Sequence, residues 1–286
     1  MAGPLTLAAL APAKLNLFLH VLGRRDDGYH SLQSAFVLLD FGDALSFTLR
    51  TDGEIRRVTD LAGVDEQDDL VVRAARRLQS ASGTILGADI SLNKRIPMGG
   101  GLGGGSSDAA STLMALNQLW GLKLPRTELQ KIGVALGADV PFFIFGRSAW
   151  AEGIGEQLAA IDVPAWWYAV ICPPVVVPTP LVFQHPALTR NTISRKIADF
   201  SATSLVGMRN DLQAVVLKQF PVVAASLSAL QAASQKSVFG ARMTGSGACV
   251  FAAFESEQDA RDALEQLQPK YPGFVAQGLL KHPLCD

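Results

Sequence analysis

The first sixty residues show the alternation of hydrophobic and polar positions that is typical of β-strands. The segments AKLNLFLHVLG and ALSFTLR alternate or run apolar, and turn clusters such as RRDDGYH separate them. The pattern then changes to a helical period in DDLVVRAARRLQSASG, whose apolar residues share one face: Leu70, Ala74, Ala75 and Leu78. Asp68 or Asp69 can cap the start of this predicted helix, and Gly83 can end it.

Helices and strands alternate through the rest of the chain. The pattern predicts a strand in ADISLNKRIP, closed by Pro97, and helices in SSDAASTLMALNQLWG and PRTELQKIGVALG. FFIFGRSAWAEG returns to the β pattern, and NDLQAVVLKQFPVVAASLSALQAAS is predicted to be helical with a break at Pro221. The pattern predicts two strands around a glycine-rich turn in ARMTGSGACVFAAF. It then predicts a helix that begins at Ser256 in SEQDARDALEQLQ and a last strand in FVAQGLL. We therefore expect two α+β lobes that meet near residue 165, one over residues 1–163 and the other over 164–286.

A cluster of prolines lies just after the expected meeting point of the lobes. Five of the 15 prolines fall within residues 173–186. Proline fixes φ and stiffens the chain, so this segment is either a domain boundary or a rigid loop that lies on a ligand.

Composition changes this picture mainly by exclusion. Hydrophobic residues make up 49% of the 286 residues and charged residues 18%, which is typical of a chain with a substantial core. The net charge of -1 gives no electrostatic case for a nucleic-acid or anionic-membrane partner. The three cysteines lie far apart, so neither a disulfide framework nor a thiolate metal site is expected. Since no lysine or arginine precedes Lys14 and no long apolar run occurs, we expect a cytoplasmic protein without a signal peptide.

The stretch RIPMGGGLGGGSSDAAS holds six glycines in the seven residues from Gly99 to Gly105. Glycine loses more conformational freedom on folding than any other residue, so an ordered run is costly. A flexible linker is one interpretation, but a predicted strand precedes the run and a predicted helix follows at once. A Walker A loop would need a closing lysine followed by serine or threonine, which is absent. A dinucleotide fingerprint fits formally, but a second helix follows where that motif requires a strand.

The remaining interpretation of the run is a phosphate-binding loop. Ser106 and Ser107 lie where the predicted helix begins. The first amides of a helix are unpaired, and its dipole places about half a positive charge there. Glycines let the backbone approach a polyphosphate without Cβ clashes. The serine hydroxyls can bind phosphate or Mg²⁺, and Asp108 either stabilises the helix dipole or holds a metal ion.

Four stretches together resemble one known family. PMGGGLGGGSSDAA is similar to the phosphate-binding motif of the GHMP kinases, which include galactokinase, homoserine kinase, mevalonate kinase and phosphomevalonate kinase. The N-terminal motif of one branch of the family resembles APAKLNLFLHVLGRRDDGYHSLQS, and the catalytic aspartate segment of that branch resembles LGADVPFFIFG. The C-terminal glycine motif of the superfamily resembles ARMTGSGACVFAAF. The four occur in the family's order between Pro12 and Phe254. NDLQ departs from the family at Gln213, where a glutamate is usual.

The resemblance implies an α+β fold of two lobes, with the active site between an N-terminal lobe like ribosomal protein S5 domain 2 and a ferredoxin-like C-terminal lobe. It implies transfer of the γ-phosphate of ATP, with Mg²⁺, to the 2-hydroxyl of 4-diphosphocytidyl-2-C-methyl-D-erythritol, a step of the non-mevalonate (MEP) route to isoprenoid precursors. This small molecule is the expected partner, and a monomer or homodimer is expected. The alternatives are a GHMP kinase for mevalonate or homoserine, a non-enzymatic binding module and a nucleotide-dependent oxidoreductase.

Phosphoryl transfer needs positioning, charge neutralisation and a group that takes the hydroxyl proton. Asp139 is the candidate base, although an aspartate just before Val140 and Pro141 can also simply stabilise a turn. Lys14 interrupts an apolar strand, and it either faces solvent or needs a buried partner. The resemblance implies that Lys14 pairs with Asp139 and with the reacting hydroxyl. Asn16 lies two residues on, on the same face of the strand, and can reach the same ligand.

Substrate contacts are implied in two other places. Tyr29 and His30 follow Gly28 in a polar turn, where an exposed loop pair is the simplest interpretation. The resemblance implies that Tyr29 stacks on the cytosine and that His30 reads its polar edge. Phe183, in the proline-rich segment, is the implied second stacking partner, and Thr179 lies on the same wall.

The nucleotide contacts implied by the resemblance are Lys94, Pro97, Met98, Gly99, Gly100, Gly101, Leu102, Gly103, Gly104, Gly105, Ser106 and Ser107. A solvated strand end is the alternative for Lys94. TGSG is either a plain hairpin turn or a loop beside the phosphates, formed by Thr244, Gly245, Ser246 and Gly247. No Mg²⁺ ligand is assigned beyond Ser106, Ser107 and the phosphates themselves.

Overall fold

The computed structural model describes residues 5–61 and 63–285. These residues form ten strands: β1 Thr6–Arg24, β2 His30–Arg50, β3 Ile55–Arg57, β4 Gly87–Asn93, β5 Ala149–Glu152, β6 Gln157–Ala160, β7 Trp167–Ile171, β8 Phe239–Met243, β9 Val250–Phe254 and β10 Gly273–Leu279. They also form eight α-helices: α1 Leu70–Ser82, α2 Gly104–Leu119, α3 Arg126–Val134, α4 Val140–Phe145, α5 Thr179–Gln184, α6 Gln213–Gln219, α7 Pro221–Ala233 and α8 Glu257–Glu265. Two short 3₁₀ turns cover Ile197–Asp199 and Thr203–Gly207.

A long antiparallel hairpin of β1 and β2 is the backbone of the fold. Its strands run for 19 and 21 residues and are joined by the predicted polar turn. The register shifts between Pro12 and Lys14 and again between Asn16 and Phe18, on either side of the buried polar residues Lys14 and Asn16. Strand β2 then pairs with β4 and with β10, and β10 pairs with β7, so one continuous sheet joins both ends of the chain.

Most predicted helix boundaries are confirmed by the structure. Asp69 accepts a hydrogen bond from the amide of Val71 at the start of α1, and Gly83 ends the helix in the left-handed region with φ of 68°. The predicted break at Pro221 separates α6 from α7, which are bent by 118°. Among the described residues, no single helix has the length and apolar composition of a membrane span. The bent pair of α6 and α7 reaches both only when the two helices are taken together. Helix α2 begins at Gly104, two residues before the predicted start at Ser106.

The prediction that FFIFG continues as a β-strand is wrong. Val140 to Phe145 form α4, and β-structure resumes only at Ala149. Pro141 lies in the first turn, where proline is favoured because its missing N–H has no helical partner to lose. The helix is apolar on all sides because its residues are buried, so its sequence shows no helical period.

The hydrophobic core joins the two lobes. One cluster packs α1, α2 and α4 on the N-terminal half of the sheet, and another packs α6, α7 and α8 against β7 and β9. Between them lies a third cluster, in which Leu15 and Val37 of the hairpin share a core with Tyr168 and Phe251. The α+β architecture of two lobes is therefore confirmed, with a shared core where they meet.

The chain's C-terminal tail returns to the N-terminal half of the protein. The predicted division at residues 163 and 164 lies between β6 and β7. However, the amide of His282 donates to the carbonyl of Gly146, and Cys285 is buried in the N-terminal core cluster. The tail after β10 therefore packs on the N-terminal lobe, a long-range contact that local patterning does not encode.

Candidate active site

A cavity of about 630 Å³ lies between the two lobes. Its wall collects most of the predicted site residues: Lys14, Asn16, Lys94, Pro97, Met98, Gly99, Gly100, Gly101, Leu102, Gly103, Gly104, Gly105, Ser106, Asp139, Thr179, Phe183, Gly245 and Ser246. Tyr29, His30, Ser107, Thr244 and Gly247 are outside this wall. The structure thus brings together residues that are up to 232 positions apart in the chain, from Lys14 to Ser246.

The glycine run forms a tight loop in which every second residue from 99 to 103 is a glycine in the left-handed region. Gly99, Gly101 and Gly103 have φ values of 71°, 76° and 74°. A Cβ on Gly101 would lie 2.3 Å from the carbonyl oxygen of Thr244, and one on Gly103 would lie 2.8 Å from the ring of Phe143. These positions therefore need glycine both for their φ and for space.

Both lobes hold this phosphate loop, residues 97–106, in place. The amide of Lys14 donates to the carbonyl of Leu102 at 2.9 Å, and the amide of Cys249 donates to the carbonyl of Gly100 at 3.0 Å. The loop leads directly into α2, whose first three residues also line the cavity. An ordered loop fixed on two sides excludes a flexible linker, and the helix start supplies unpaired amides for an anion.

Lys14, Asn16 and Asp139 form a polar group, the reaction centre, at one side of the cavity. Lys14 and Asn16 are buried on β1, and the Lys14 Nζ donates to the Asn16 Oδ1 at 2.5 Å. The same Nζ lies 3.3 Å from the Asp139 Oδ2. The Asn16 Nδ2 in turn donates to the Ser34 Oγ at 2.8 Å, which fixes the orientation of the amide. Because the ammonium is buried, these partners are what make its charge tolerable.

Asp139 does not have the turn-stabilising role that was its alternative. It lies at the N-terminus of α4, but its side chain makes no capping hydrogen bond there. Its carboxylate is 33% exposed, whereas the side chain of Lys14 is 4% exposed. Among the described residues only Lys14 pairs with this carboxylate, so it stays accessible from the cavity.

Lys94 lies beneath the phosphate loop between two acidic side chains. Its Nζ donates to the Asp43 carboxylate and, at 2.7 Å, to the Asp108 Oδ2. Burial alone would lower the pKa of Lys94, but Asp108 and Asp43 outweigh burial and raise it. Asp43 also accepts the backbone amides of Arg95 and Ile96 at the start of the loop. Lys94 therefore reaches the cavity as a cation already held by protein partners.

Asp108 is neither a simple dipole partner nor an open metal ligand. Because α2 begins at Gly104, Asp108 is the fifth residue of the helix rather than part of its first turn. Its Oδ2 accepts from Lys94, and its buried Oδ1 has no partner among residues 5–61 and 63–285. Burial raises the pKa of Asp108, although the Lys94 ammonium acts in the opposite direction.

The paired serines differ in their surroundings. Ser106 lines the cavity, and its hydroxyl makes no hydrogen bond within the described part of the chain. Ser107 is fully buried, and its hydroxyl donates to the carbonyl of Pro12 at 2.6 Å. The predicted phosphate or metal contact of the Ser107 hydroxyl therefore does not fit this geometry, since the side chain ties α2 to β1 instead.

Two of the predicted substrate residues lie beside the cavity rather than in its wall. Tyr29 is 61% exposed in the turn between β1 and β2. His30 is buried, its ring lies 5.2 Å from that of Phe183, and its Nε2 accepts from the Nε of Arg190 at 3.0 Å. Burial lowers the pKa of His30, and Arg190 and Arg24 lower it further. His30 is thus a neutral imidazole next to an aromatic ring.

The TGSG loop is more than a hairpin turn. The Thr179 Oγ1 and the Ser246 Oγ lie 2.7 Å apart, which joins the proline-rich segment to this loop. Thr244 is buried, and its Oγ1 accepts from the amide of Asn16 at 2.9 Å. Gly247 does not line the cavity, and a Cβ there would lie 2.8 Å from the sulfur of Met243. The loop therefore contacts the reaction centre through Thr244 and lines the cavity through Gly245 and Ser246.

Four polar residues that support the site were not found by sequence reasoning. They are Ser34 and Asp43 on β2, Asn210 before α6, and Arg190 after α5. Asn210 donates to the carbonyls of Met243 and Gly245 and so supports the TGSG loop. Ser34 and Asn210 lie in stretches compared with the family but carried no predicted role, and Asp43 and Arg190 lie in no motif. Each has a partner that is distant in the sequence. Gln213 accepts from the amide of Met243 through its Oε1, so glutamine offers here the same oxygen as the glutamate that is usual in the family.

A glycine-rich phosphate loop beside a lysine–aspartate pair, set between two α+β lobes, defines a small-molecule kinase. The family model of the GHMP kinases N terminal domain matches residues 69–147, and that of the GHMP kinases C terminal matches residues 188–273. The chain is 56% identical over 274 residues to the 4-diphosphocytidyl-2-C-methyl-D-erythritol kinase of Aromatoleum aromaticum, covering 96% of this chain and 94% of that one. It is 55% identical over 282 residues to the kinase of the same name from Burkholderia ambifaria, with the same coverage of each chain. The chain therefore belongs to the GHMP kinases.

Solved structures agree with this assignment. A crystal structure of 4-(cytidine 5'-diphospho)-2C-methyl-D-erythritol kinase is 33% identical, with a TM-score of 0.81 over 95% of this chain and 99% of that one. A homoserine kinase from Cytophaga hutchinsonii is 19% identical, with a TM-score of 0.71 over 99% of this chain and 97% of that one, and shows the shared fold. The protein is thus an enzyme, a kinase of a family that uses ATP.

Proposed function

We propose that this kinase transfers the γ-phosphate of ATP to the 2-hydroxyl of 4-diphosphocytidyl-2-C-methyl-D-erythritol, a step of the non-mevalonate (MEP) route to isoprenoid precursors. The observation that supports phosphoryl transfer is the pair of Lys14 and Asp139, whose Nζ and Oδ2 lie 3.3 Å apart. Both residues line the same cavity as the phosphate loop. The names of the two relatives to which the chain is 56% and 55% identical supply the substrate.

The reaction centre suits an in-line attack of a hydroxyl on a phosphate. In the proposal, the carboxylate of Asp139 accepts the hydroxyl proton as the oxygen attacks. Lys14 pairs with that carboxylate and stabilises negative charge on the transferring group. Asn16 also holds the ammonium, since its Oδ1 accepts from the Nζ. The phosphates bind to the loop amides and to the start of α2.

Mg²⁺ is part of the proposal, and the cavity offers few but suitable ligands for it. No group of three or more metal-binding His, Cys, Asp or Glu side chains occurs within residues 5–61 and 63–285. Mg²⁺ is typically held by one or two protein oxygens together with substrate phosphates. The hydroxyl of Ser106 is such an oxygen on the cavity wall. When bound, the ion neutralises charge on the phosphates.

Substrate choice rests on an aromatic site that we call the base clamp: Tyr29, His30 and Phe183. An exposed tyrosine and a cavity-lining phenylalanine give a nucleobase two faces to stack on. Mevalonate and homoserine have no flat ring that would use such a clamp. The His30 ring lies between the turn and Phe183 and provides a polar edge.

We place the reaction in the cytoplasm, and we keep the small-molecule substrate as the partner. Neither Cys172 nor Cys249 forms a disulfide bond, which is the usual state of cysteines in a reducing compartment. The oligomeric state, monomer or homodimer, stays a prediction.

One assay tests the proposed function. Purified protein is given ATP and Mg²⁺ with the cytidyl substrate, mevalonate or homoserine in parallel, and ADP release is measured. We expect turnover of the cytidyl substrate only. Turnover of mevalonate or homoserine without turnover of the cytidyl substrate would overturn the assignment, and binding of ATP without any ADP release would favour a binding module.

A further inference from the structure

Arg190 is a residue to which neither the motifs nor the mechanism assigns a role, yet it makes four hydrogen bonds beside the base clamp. Its Nε donates to the Nε2 of His30 at 3.0 Å. The Nη2 of Arg190 donates to the carbonyls of Phe183 and His185, both at 2.9 Å, and its Nη1 donates to the carbonyl of Leu188 at 3.2 Å. A single guanidinium therefore connects the turn before β2 with the segment that carries the second aromatic residue.

The contact with His30 fixes the position of the imidazole proton. A guanidinium has only donors, so the Nε2 of His30 has to be the acceptor. In a neutral imidazole the other nitrogen then carries the hydrogen. His30 is consequently held as the tautomer with its proton on Nδ1, and within the described part of the chain no residue accepts from that nitrogen.

The contacts with Phe183 act on a segment that has little stability of its own. Helix α5 has six residues with a proline in its first turn, and it ends at Gln184, just before His185. So short a helix does not hold its own end firmly, because its last carbonyls have no helical partner. Arg190 supplies donors to two of those carbonyls, at Phe183 and His185, and so fixes the backbone from which the Phe183 ring extends.

We propose that Arg190 is a positioning residue for recognition of a pyrimidine base: it holds His30 as an Nδ1–H donor and fixes Phe183 opposite the turn that carries Tyr29. This inference rests on the proposed function, since it assumes that the base clamp binds the cytosine of the substrate. A donor nitrogen on His30 selects an acceptor on the edge of the base, and cytosine presents two acceptors there, O2 and N3. A base with an N–H at position 3 loses one of these two acceptors.

The test compares three variants with the wild type by steady-state kinetics. Arg190→Gln removes both the charge and the forked donor, and Arg190→Lys keeps the charge but loses the fork. Arg195→Gln is the matched control, because Arg195 is an exposed arginine whose side chain makes no contact with His30 or Phe183. We expect both Arg190 variants to raise KM for the cytidyl substrate about tenfold, since hydrogen bonds to charged groups are of that size. KM for ATP should stay within about twofold in all three variants.

A second readout does not depend on activity. The ¹⁵N chemical shifts of the His30 imidazole distinguish the two tautomers, and in the wild-type protein they should show the proton on Nδ1. Arg190→Gln should shift them toward a mixture, and Arg195→Gln should leave them unchanged. Should the Arg190 variants fail to fold, the wild-type tautomer still decides the point, because a proton on Nε2 contradicts the assigned contact.

The failures of the two proposals are distinguishable. Absence of turnover of the cytidyl substrate in the wild type overturns the proposed function before any variant is measured. Turnover by the wild type, with KM and the His30 shifts unchanged in Arg190→Gln, overturns only the role of Arg190.

Discussion

The reaction centre and the base clamp are built in opposite ways. Lys14 and Asn16 lie inside the long strand β1, buried and connected to each other at 2.5 Å, with Asp139 at the start of a buried helix. The base clamp instead lies on a turn and on a short helix, and one of its rings, Tyr29, is 61% exposed. Within the clamp, the side chain of Arg190 links His30, at the first residue of β2, to the backbone that carries Phe183.

This difference separates chemistry from selectivity. A proton transfer needs its groups fixed within a fraction of an ångström, and strands and helix ends supply such rigidity. Choice of substrate tolerates a looser frame, and loops on a rigid scaffold supply it. Substitutions in the reaction centre should therefore lower kcat, whereas substitutions in the clamp should raise KM for one substrate only.

The largest effect is expected for Asp139→Asn, which keeps shape but removes the base. Loss of general base catalysis typically costs 10²–10⁴-fold, so kcat should fall about a thousandfold. The dissociation constant for ATP should change little, because the carboxylate contacts Lys14 and not the loop. Steady-state kinetics together with calorimetric titration of ATP measures the two effects separately.

Asp162→Asn, at a surface position outside the cavity wall, serves as the control for the loss of one negative charge and should behave as the wild type. If Asp139→Asn weakened ATP binding as much as turnover, Asp139 would have a structural role and the division between the two regions would fail.

A second large effect is expected for Gly101→Ala in the phosphate loop. The new Cβ would lie 2.3 Å from the carbonyl of Thr244, and the residue has φ of 76°. Gly121→Ala is a matched control, because Gly121 has φ of 66° but no atom within 4 Å of the new Cβ. Overpacking of this kind costs about 1–3 kcal/mol, so KM for ATP should rise up to roughly a hundredfold in Gly101→Ala.

Both alanine variants carry the left-handed strain, which is about 1–2 kcal/mol, so both melting temperatures should fall, and that of Gly101→Ala should fall further because of the overpacking. Equal KM values for ATP in the two variants would show that the strain alone, and not the closeness of the Thr244 carbonyl, explains the glycine.

Local sequence patterns were sufficient for most of the fold. The caps of α1 and the break at Pro221 are encoded by neighbouring residues, and the structure confirms them. The FFIF run was misassigned because a buried helix and a buried strand have the same uniform apolar pattern. The return of the tail to the N-terminal lobe was not predictable either, since it depends on a contact between His282 and Gly146 across 136 residues.

The site shows the same difference between features that local sequence encodes and contacts that are distant in the sequence. Lys14 and Asp139 could be predicted because a charge in an apolar strand is unusual and because their motifs are distinctive, and the structure brings the Nζ and the Oδ2 to 3.3 Å from each other. Asp43 and Arg190 were missed because their partners, Lys94 and His30, lie 51 and 160 positions away in the chain. Ser107 was placed at the phosphates by its motif, but a helix that begins two residues earlier turns its hydroxyl to β1.

A smaller effect is expected in the base clamp. Tyr29→Ala and Phe183→Ala should each raise KM for the cytidyl substrate about tenfold, because stacking on a base is worth roughly 1–3 kcal/mol. KM for ATP and the melting temperature of Tyr29→Ala should not change, since the ring is mostly exposed. Tyr29→Phe keeps the ring and should retain the wild-type KM. A rise in KM for ATP in either alanine variant would show that the ring contacts ATP, and the assignment of the clamp to the cytidyl substrate would be wrong.

The smallest effect is the pH dependence of the clamp. Burial, with Arg190 and Arg24, holds the pKa of His30 below 6.5, so the imidazole is neutral from pH 8 down to about 6.5. KM for the cytidyl substrate should be flat over that range and should rise a few-fold only below it, because a proton on Nε2 would face the guanidinium of Arg190. In Arg190→Gln the pKa of His30 should move up toward 6.5, and the rise in KM should begin at higher pH. Because Asp139 belongs to the other region, KM for ATP should not follow the same curve. A curve shared by both substrates would mean that the reaction centre and the clamp titrate together, and the separation between them would not hold.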